Sequence, residues 1–229
     1  MMLVLLLASF CLAIIALTIF QYFLATRRVN KRSLKGLVGI QQLIALIRLT
    51  QQHRGMHSGV LDGATSFLQP LDALKKEIAL SYHNLLKFEQ SCAYPNHLSV
   101  QSQYTQWQYL TQLSDLNSKD SFQIHSRIIA RLLDNLWNMS DEFNLTSNRK
   151  QKVKALAIQC VKTLPEITEA LGQLRALSVQ VAAKKRFHNG NQQQLIFTIK
   201  KIDEHLAQVD SLLSQQDKKQ LTAFVEQMK

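Results

Sequence analysis

Two arginines stand where a helical core ordinarily takes an aliphatic side chain. Ile40, Ile44, Ile47, Gln51, Arg54, Ser58 and Leu61 follow one another in steps of four and three. That spacing keeps residues on one face of a helix, so Arg54 is expected to point inward. The segment Gln52-His53-Arg54-Gly55-Met56-His57-Ser58-Gly59 has a shorter echo in Gln173-Leu174-Arg175-Ala176-Leu177-Ser178, which gives a second inward arginine. A buried guanidinium left without a partner costs several kcal/mol, yet neither arginine has an acidic residue within four positions. A planar oxyanion satisfies two guanidinium forks, because each offers parallel N–H donors. Ser58 and Ser178, one turn beyond their arginines, add hydroxyl donors, and Gln51 shares the face of Arg54. Arg54, Arg175, Ser58, Ser178 and Gln51 are therefore the expected ligand-binding residues. A carboxylate from another helix is the competing partner, with Glu77, Glu89, Asp134, Asp141 and Glu142 as candidates.

Other reactive residue types carry less. His53 and His57 stand four apart, as two metal ligands would, but no Glu lies between them and no third ligand is evident. They are expected as partly exposed polar side chains. Cys92 and Cys160 lack a flanking activation motif and read as core thiols, and Cys11 lies in an apolar run. The chain has no nucleophile elbow, Gly-rich phosphate loop or paired-carboxylate motif. The expectation is a binding protein, not an enzyme, with no cofactor and no metal.

The elements that must position these residues are helices. The chain has 229 residues, 46% of them hydrophobic, with only seven Gly and three Pro, which suits an all-α bundle of about six helices. Residues 2–24 carry no charge and are nearly all apolar, long enough at ~1.5 Å per residue to cross a hydrocarbon core of ~30 Å. A cleaved signal peptide is the alternative, but no basic region precedes the run. Arg27, Arg28, Lys31, Arg32 and Lys35 follow it, the pattern that keeps the C-terminal side in the cytoplasm, with anionic lipid headgroups as the nearest partners. The expected division is a transmembrane anchor over 1–26, a basic juxtamembrane linker over 27–36 and a helical bundle over 37–229. The net charge of +11 owes five charges to that cluster, and the remaining groups, at 149–154, 184–186 and 218–219, lack any nucleic-acid motif. They are expected as solvated faces.

Periodicity and breaks place the helices of the bundle. The first covers about 34–61 and ends at Asp62-Gly63-Ala64. A second, about 69–90, has Pro70 in its first turn and Leu71, Leu74, Ile78 and Leu85 on one stripe, and stops before Tyr94-Pro95-Asn96. A third, about 100–116, buries Tyr104, Trp107 and Leu110, and Asn117-Ser118-Lys119-Asp120 breaks and caps the chain before a fourth at about 121–143. The fifth begins near Arg149 and must kink or restart at Pro165, where Glu166 and Glu169 suit a fresh N-terminus. After His188-Asn189-Gly190, the last helix shows Leu195, Ile199, Ile202, Leu206, Val209 and Leu213, a seam that closes the bundle or pairs with a second chain.

The residues 52–59, the stretch 125–145 and Leu164-Pro165-Glu166-Ile167-Thr168-Glu169-Ala170-Leu171-Gly172-Gln173-Leu174-Arg175-Ala176-Leu177-Ser178 together resemble the nitrate- and nitrite-sensing (NIT) domain family and related helical bacterial sensor domains. The resemblance covers most of residues 40–185. It implies an all-helical bundle that binds nitrate or nitrite through inward arginines, a role that falls by motif on Arg54 and Arg175; with the anchor and its flanking charges, the expectation is a single-pass bacterial inner-membrane protein with a cytoplasmic bundle. Related sensors often carry an acidic, tyrosine-bearing run between Leu145 and Leu156, where this chain has Thr146-Ser147-Asn148-Arg149-Lys150-Gln151-Lys152-Val153-Lys154. No kinase, chemotaxis-signalling, cyclase or RNA-binding segment follows the helices, so output is expected to pass through a separate partner protein, with a homodimer as a further expectation. The rival expectation is an interaction module of the same build whose arginines are paired internally.

Overall fold

The computed structural model describes residues 1–92, 98–112, 115–184 and 189–212. These residues are almost wholly helical and include no strand. The first helix, α1, runs unbroken over Met2–Leu61, about 90 Å at ~1.5 Å per residue. The segment expected as a juxtamembrane linker, 27–36, is therefore a part of this helix and not a break. α1 ends where Gly63 takes φ +96, a left-handed conformation open to a residue without a Cβ. A short 3-10 turn, Thr65–Phe67, leads into α2, Leu68–Ser91. Then come α3, Val100–Gln112, and α4, Ser118–Glu142. Asn117 caps α4 as expected, its side-chain oxygen accepting from the Asp120 amide at 2.8 Å.

Pro165 does not start a separate helix. α5, Gln151–Ile158, passes through a π-helical turn, Gln159–Thr163, straight into α6, Leu164–Lys184. The amide of Leu164 bonds back to the carbonyl of Gln159. This wider turn opens the backbone just before a residue that lacks an N–H and whose ring would clash with the carbonyl one turn back. α7, Asn189–Leu212, follows. With α5, the π turn and α6 taken as one, the described residues form six helices. The expected break at 94–96, the basic group at 218–219 and Leu213 lie outside the described residues, as do His188 and the end of the 184–186 group.

The core lies between α1, α2 and α4, with α3 and the π turn closing it. Ile40, Leu43, Leu46 and Ile47 of α1 pack with Leu74, Ile78, Tyr82 and Leu85 of α2, Trp107 and Leu110 of α3, and Ile129, Leu132, Leu136 and Met139 of α4. The stripe foreseen on α2 is buried, and α4 buries Ile128, Ile129, Leu132, Leu136 and Met139. On α1 the buried face is rotated slightly from the expected row, so Ile44 is exposed while Leu43 and Leu46 are fully buried. Gly39 permits the close approach: a Cβ there would stand 2.4 Å from the Phe88 ring and 2.7 Å from Met139 Sδ. The register of α1 on α4 is read from three contacts: Ser33 Oγ donates to the Phe143 carbonyl, His53 meets His125, and Asp62 accepts from Ser118 Oγ.

From Ser9 to Leu24 every residue of α1 is exposed. Its large apolar side chains from Phe10 to Leu24 are exposed, and this helix is long and apolar enough to cross a membrane. Farther along, two of the five cations expected to face lipid also engage the bundle. Arg32 pairs with Glu142, and Lys35 Nζ donates to the Ser91 carbonyl at 3.3 Å.

The expected seam on α7 is only half right. Ile202 is 8% exposed and Thr198 4%, whereas Leu206 is 50% exposed and Ile199 42%. α7 packs on α6, with His205 Nε2 3.4 Å from Glu166, and leaves Ile196, Phe197, Ile199 and Leu206 exposed. Val209 lies in α7, but its side chain is outside the described residues.

Candidate functional site

Arg54 and Arg175 are brought to one place, but in different states. Arg54 is 2% exposed, inward as its spacing required. Its counter-charge is Glu169 of α6, which was not among the five carboxylates considered. Arg54 Nη1 donates to Glu169 Oε1 at 2.6 Å and Nη2 to Oε2 at 3.2 Å, a two-pronged pair. Nη1 also donates to Ser126 Oγ at 2.9 Å, and the guanidinium carbon lies 4.9 Å from the centre of the Phe122 ring. Glu169 receives two further donors, Gln51 Nε2 at 2.9 Å on Oε2 and Gln173 Nε2 at 2.7 Å on Oε1. A carboxylate accepts about four hydrogen bonds, so this one is saturated. Arg54 thereby ties α1 to α4 and α6, and Gln51 serves the same pair.

Of the five carboxylates expected as alternatives, four are engaged elsewhere or face outward, and Glu89 is buried without pairing to either arginine. Glu77 and Asp134 are exposed, Glu142 pairs with Arg32, and Asp141 accepts from Thr146 Oγ1 at 3.0 Å. Glu89 is buried, and that burial raises its pKa. Glu169 was legible in one respect. It stands one turn before Gln173 in the second arginine segment, so both fall on one face of α6.

Arg175 is exposed, not inward. It lines a cavity of about 880 Å³ that also meets Arg54, Arg48, Gln51 and Ser58 of α1. Gly172 makes the tighter approach between α6 and α1, while Gly55 faces Arg175 with ordinary contact room to spare. A Cβ on Gly172 would stand 3.1 Å from Arg54 Nη2, and one on Gly55 would stand 3.6 Å from Arg175 Nη2. Gly59 makes a tight approach at the cavity's outer wall, since a Cβ there would meet the Phe67 ring at 2.8 Å. Ser58 Oγ is buried and has no hydrogen-bond partner among the described residues. Asp62 is the one carboxylate among the lining residues, and it accepts from Ser118 Oγ at 3.0 Å. Arg48, which the spacing argument passed over because it lies off the inward row, is exposed and lines the cavity. Ser178 lies in α6, but its side chain is outside the described residues.

Beside the ion pair, three histidines form a buried cluster that the spacing did not reveal. His53 is fully buried, His57 partly so, and His125 of α4 completes the group. Ring centroids are 5.4 Å apart for His53 and His57, 5.0 Å for His53 and His125, and 5.5 Å for His57 and His125. His125 Nδ1 lies 2.7 Å from the Ser121 carbonyl, which only accepts, so Nδ1 carries the proton and Nε2 is bare in the neutral ring. His53 Nδ1, 2.7 Å from that Nε2, must then donate to it. The remaining nitrogen, His53 Nε2, is a buried acceptor without a partner among the described residues. Burial first, then the charge each ring would feel from its neighbours, lowers the pKa of His53 to about 2. His125 falls to about 3, again chiefly through burial, with its bond to Ser121 opposing the shift and His57 and Arg54 adding to it. His57 is lowered by burial and by Lys75.

Among the described residues no group of three or more His, Cys, Asp or Glu is arranged to hold a metal ion. The three cysteines are free; Cys92 packs partly buried against the core, as expected of a core thiol, whereas Cys160 is exposed. No family model matches the chain, nor does any curated protein or solved structure.

Proposed function

We propose that this chain is a membrane-anchored, antiparallel helical bundle that binds an anion in the arginine-lined cavity and signals through a separate partner protein. The observation that carries the reading is the charge of the cavity wall. Arg54 is neutralised by Glu169, while Arg48 and Arg175 line the same space with no ion-pair partner among the described residues. Against the single lining carboxylate of Asp62 they leave the described wall one positive charge in excess, which an anion would offset. Nitrate and nitrite are the ligands to which the family resemblance points. The contacts of Ser33 with Phe143 and of Asp62 with Ser118 support an antiparallel course for α1 and α4.

Calorimetric titration of the full chain in lipid nanodiscs with nitrate, nitrite, chloride and sulfate tests this. Binding of nitrate or nitrite is expected, weakened at least about tenfold by Arg175→Gln, since a charge-assisted hydrogen bond contributes roughly 1.5–3 kcal/mol. A second reading, an interaction module in the bacterial inner membrane, is favoured by the saturated Arg54–Glu169 pair, which leaves Arg54 little to offer a ligand. The absence of heat with any anion would select it.

The anchor reading rests on the exposed apolar run of α1, and its orientation on Arg27, Arg28, Lys31, Arg32 and Lys35 immediately after it. A reporter enzyme that is active only in the periplasm, fused after Lys229, is expected to stay inactive. Activity would place the bundle on the other side of the membrane.

A further inference from the structure

The cavity is far larger than the ions that the family resemblance suggests. Its volume is about 880 Å³, within the ~300–1,000 Å³ range of sites that enclose ligands of many atoms. A four-atom oxyanion is of a size with one or two water molecules, at about 30 Å³ each. Such an ion held by Arg175 would leave most of the space unfilled.

The walls carry the second part of the argument. Met56, Phe67, Phe122 and Leu171 line the cavity together with the guanidiniums. The Phe67 ring is seated against α1 only because residue 59 is glycine. Apolar walls give nothing to a hydrated inorganic ion, but stabilise a hydrocarbon group roughly in proportion to the area they cover. Charge sets the valence. With Arg54 matched by Glu169, the wall retains Arg48 and Arg175 against Asp62, an excess of one positive charge. Ser58 Oγ, buried without a partner, supplies a further polar contact beside the cations.

On the basis of the anion-binding reading above, we infer that the ligand class is an organic monoanion. A carboxylate is held by Arg175, and a compact apolar body, the size of a phenyl group on a short chain, lies against Met56, Phe67, Phe122 and Leu171. The carboxylate takes the parallel N–H donors of the guanidinium, and the apolar body displaces water from the rings.

Titration of the full chain in nanodiscs with nitrate, acetate, phenylacetate, 3-phenylpropionate and neutral benzyl alcohol tests the class. Affinity is expected to rise at least about tenfold from acetate to 3-phenylpropionate, since each buried methylene is worth about fourfold. Benzyl alcohol should not bind. Arg175→Gln is expected to remove binding of every anion, which separates the site from partition into lipid. Leu171→Ala, at a residue 48% exposed and so tolerant of truncation, should weaken 3-phenylpropionate and leave acetate unchanged. Nitrate binding that depends on Arg175, with no gain from the apolar body, would overturn this inference while sparing the anion-binding function. Silence with every ligand would overturn both.

Discussion

Arg54→Gln is expected to destabilise the bundle by ~3–5 kcal/mol, because it strands the buried carboxylate of Glu169. Glu169 is 6% exposed, and the substitution removes both guanidinium donors at 2.6 and 3.2 Å while leaving Gln51 and Gln173 in place. Two amide donors do not compensate a desolvated negative charge. Glu169→Gln should be costly for the converse reason, leaving a buried cation without a counter-charge, attended by Ser126, the Phe122 face and at most one amide oxygen. Combining the two substitutions should cost less than the sum of the single losses, since each removes what the other strands. Arg175→Gln is the control. Its side chain is exposed, so the free protein should keep its stability within ~0.5 kcal/mol. Chemical denaturation of the four variants reads all of this. If Arg54→Gln proved neutral or stabilising, Arg54 would be an unopposed cation awaiting a ligand and the ion pair would have no energetic meaning.

The second large effect is a loss of stability on mild acidification. The histidines of the cluster have pKa values lowered in the folded protein, to about 2 for His53 and about 3 for His125, while in the unfolded chain they titrate near ~6.5. Between those limits the unfolded chain binds more protons. The stability these neutral rings allow is therefore complete above ~6.5 and declines as the pH falls, at ~1.4 kcal/mol per pH unit for each histidine. His57, lowered in the same direction, adds to the slope. From pH 7.5 to 5 the two deepest rings together should cost ~4 kcal/mol, a large part of the ~5–15 kcal/mol of an ordinary domain. Glu89, whose pKa burial raises, acts in the opposite sense and offsets part of this slope. The groups that face the cluster strengthen the effect. Arg54 on α1 and Lys75 on α2 are both positive and oppose protonation. Denaturation midpoints measured at pH 7.5, 6.5, 5.8 and 5 check the sign. A flat profile would mean that the rings are solvated and free to charge.

The sequence by itself determined the helices and the direction of the strongest signal. Leu71, Leu74, Ile78 and Leu85 recur at helical spacing and are buried in α2. Asn117 announces its cap, and the charge-free run before Arg27 marks a stretch that stays exposed. These properties belong to neighbours in sequence, within one or two turns, where periodicity and backbone chemistry act. The inward Arg54 also followed from spacing alone. Its partner did not, because Glu169 reaches it across 115 residues of chain and only the packing of α6 on α1, through Gly172, selects that carboxylate over five others. The same packing decides that Arg175, in an echo of the same motif, stays at the cavity. His125 joined His53 for the same reason. One turn of α1 supplies two histidines by spacing, but the third stands on α4, and which face of α4 meets them is fixed by the register from Ser33 to Asp62. Helical spacing reports which way a side chain points; what it meets there depends on where the other helices pack, and that is settled by the whole core.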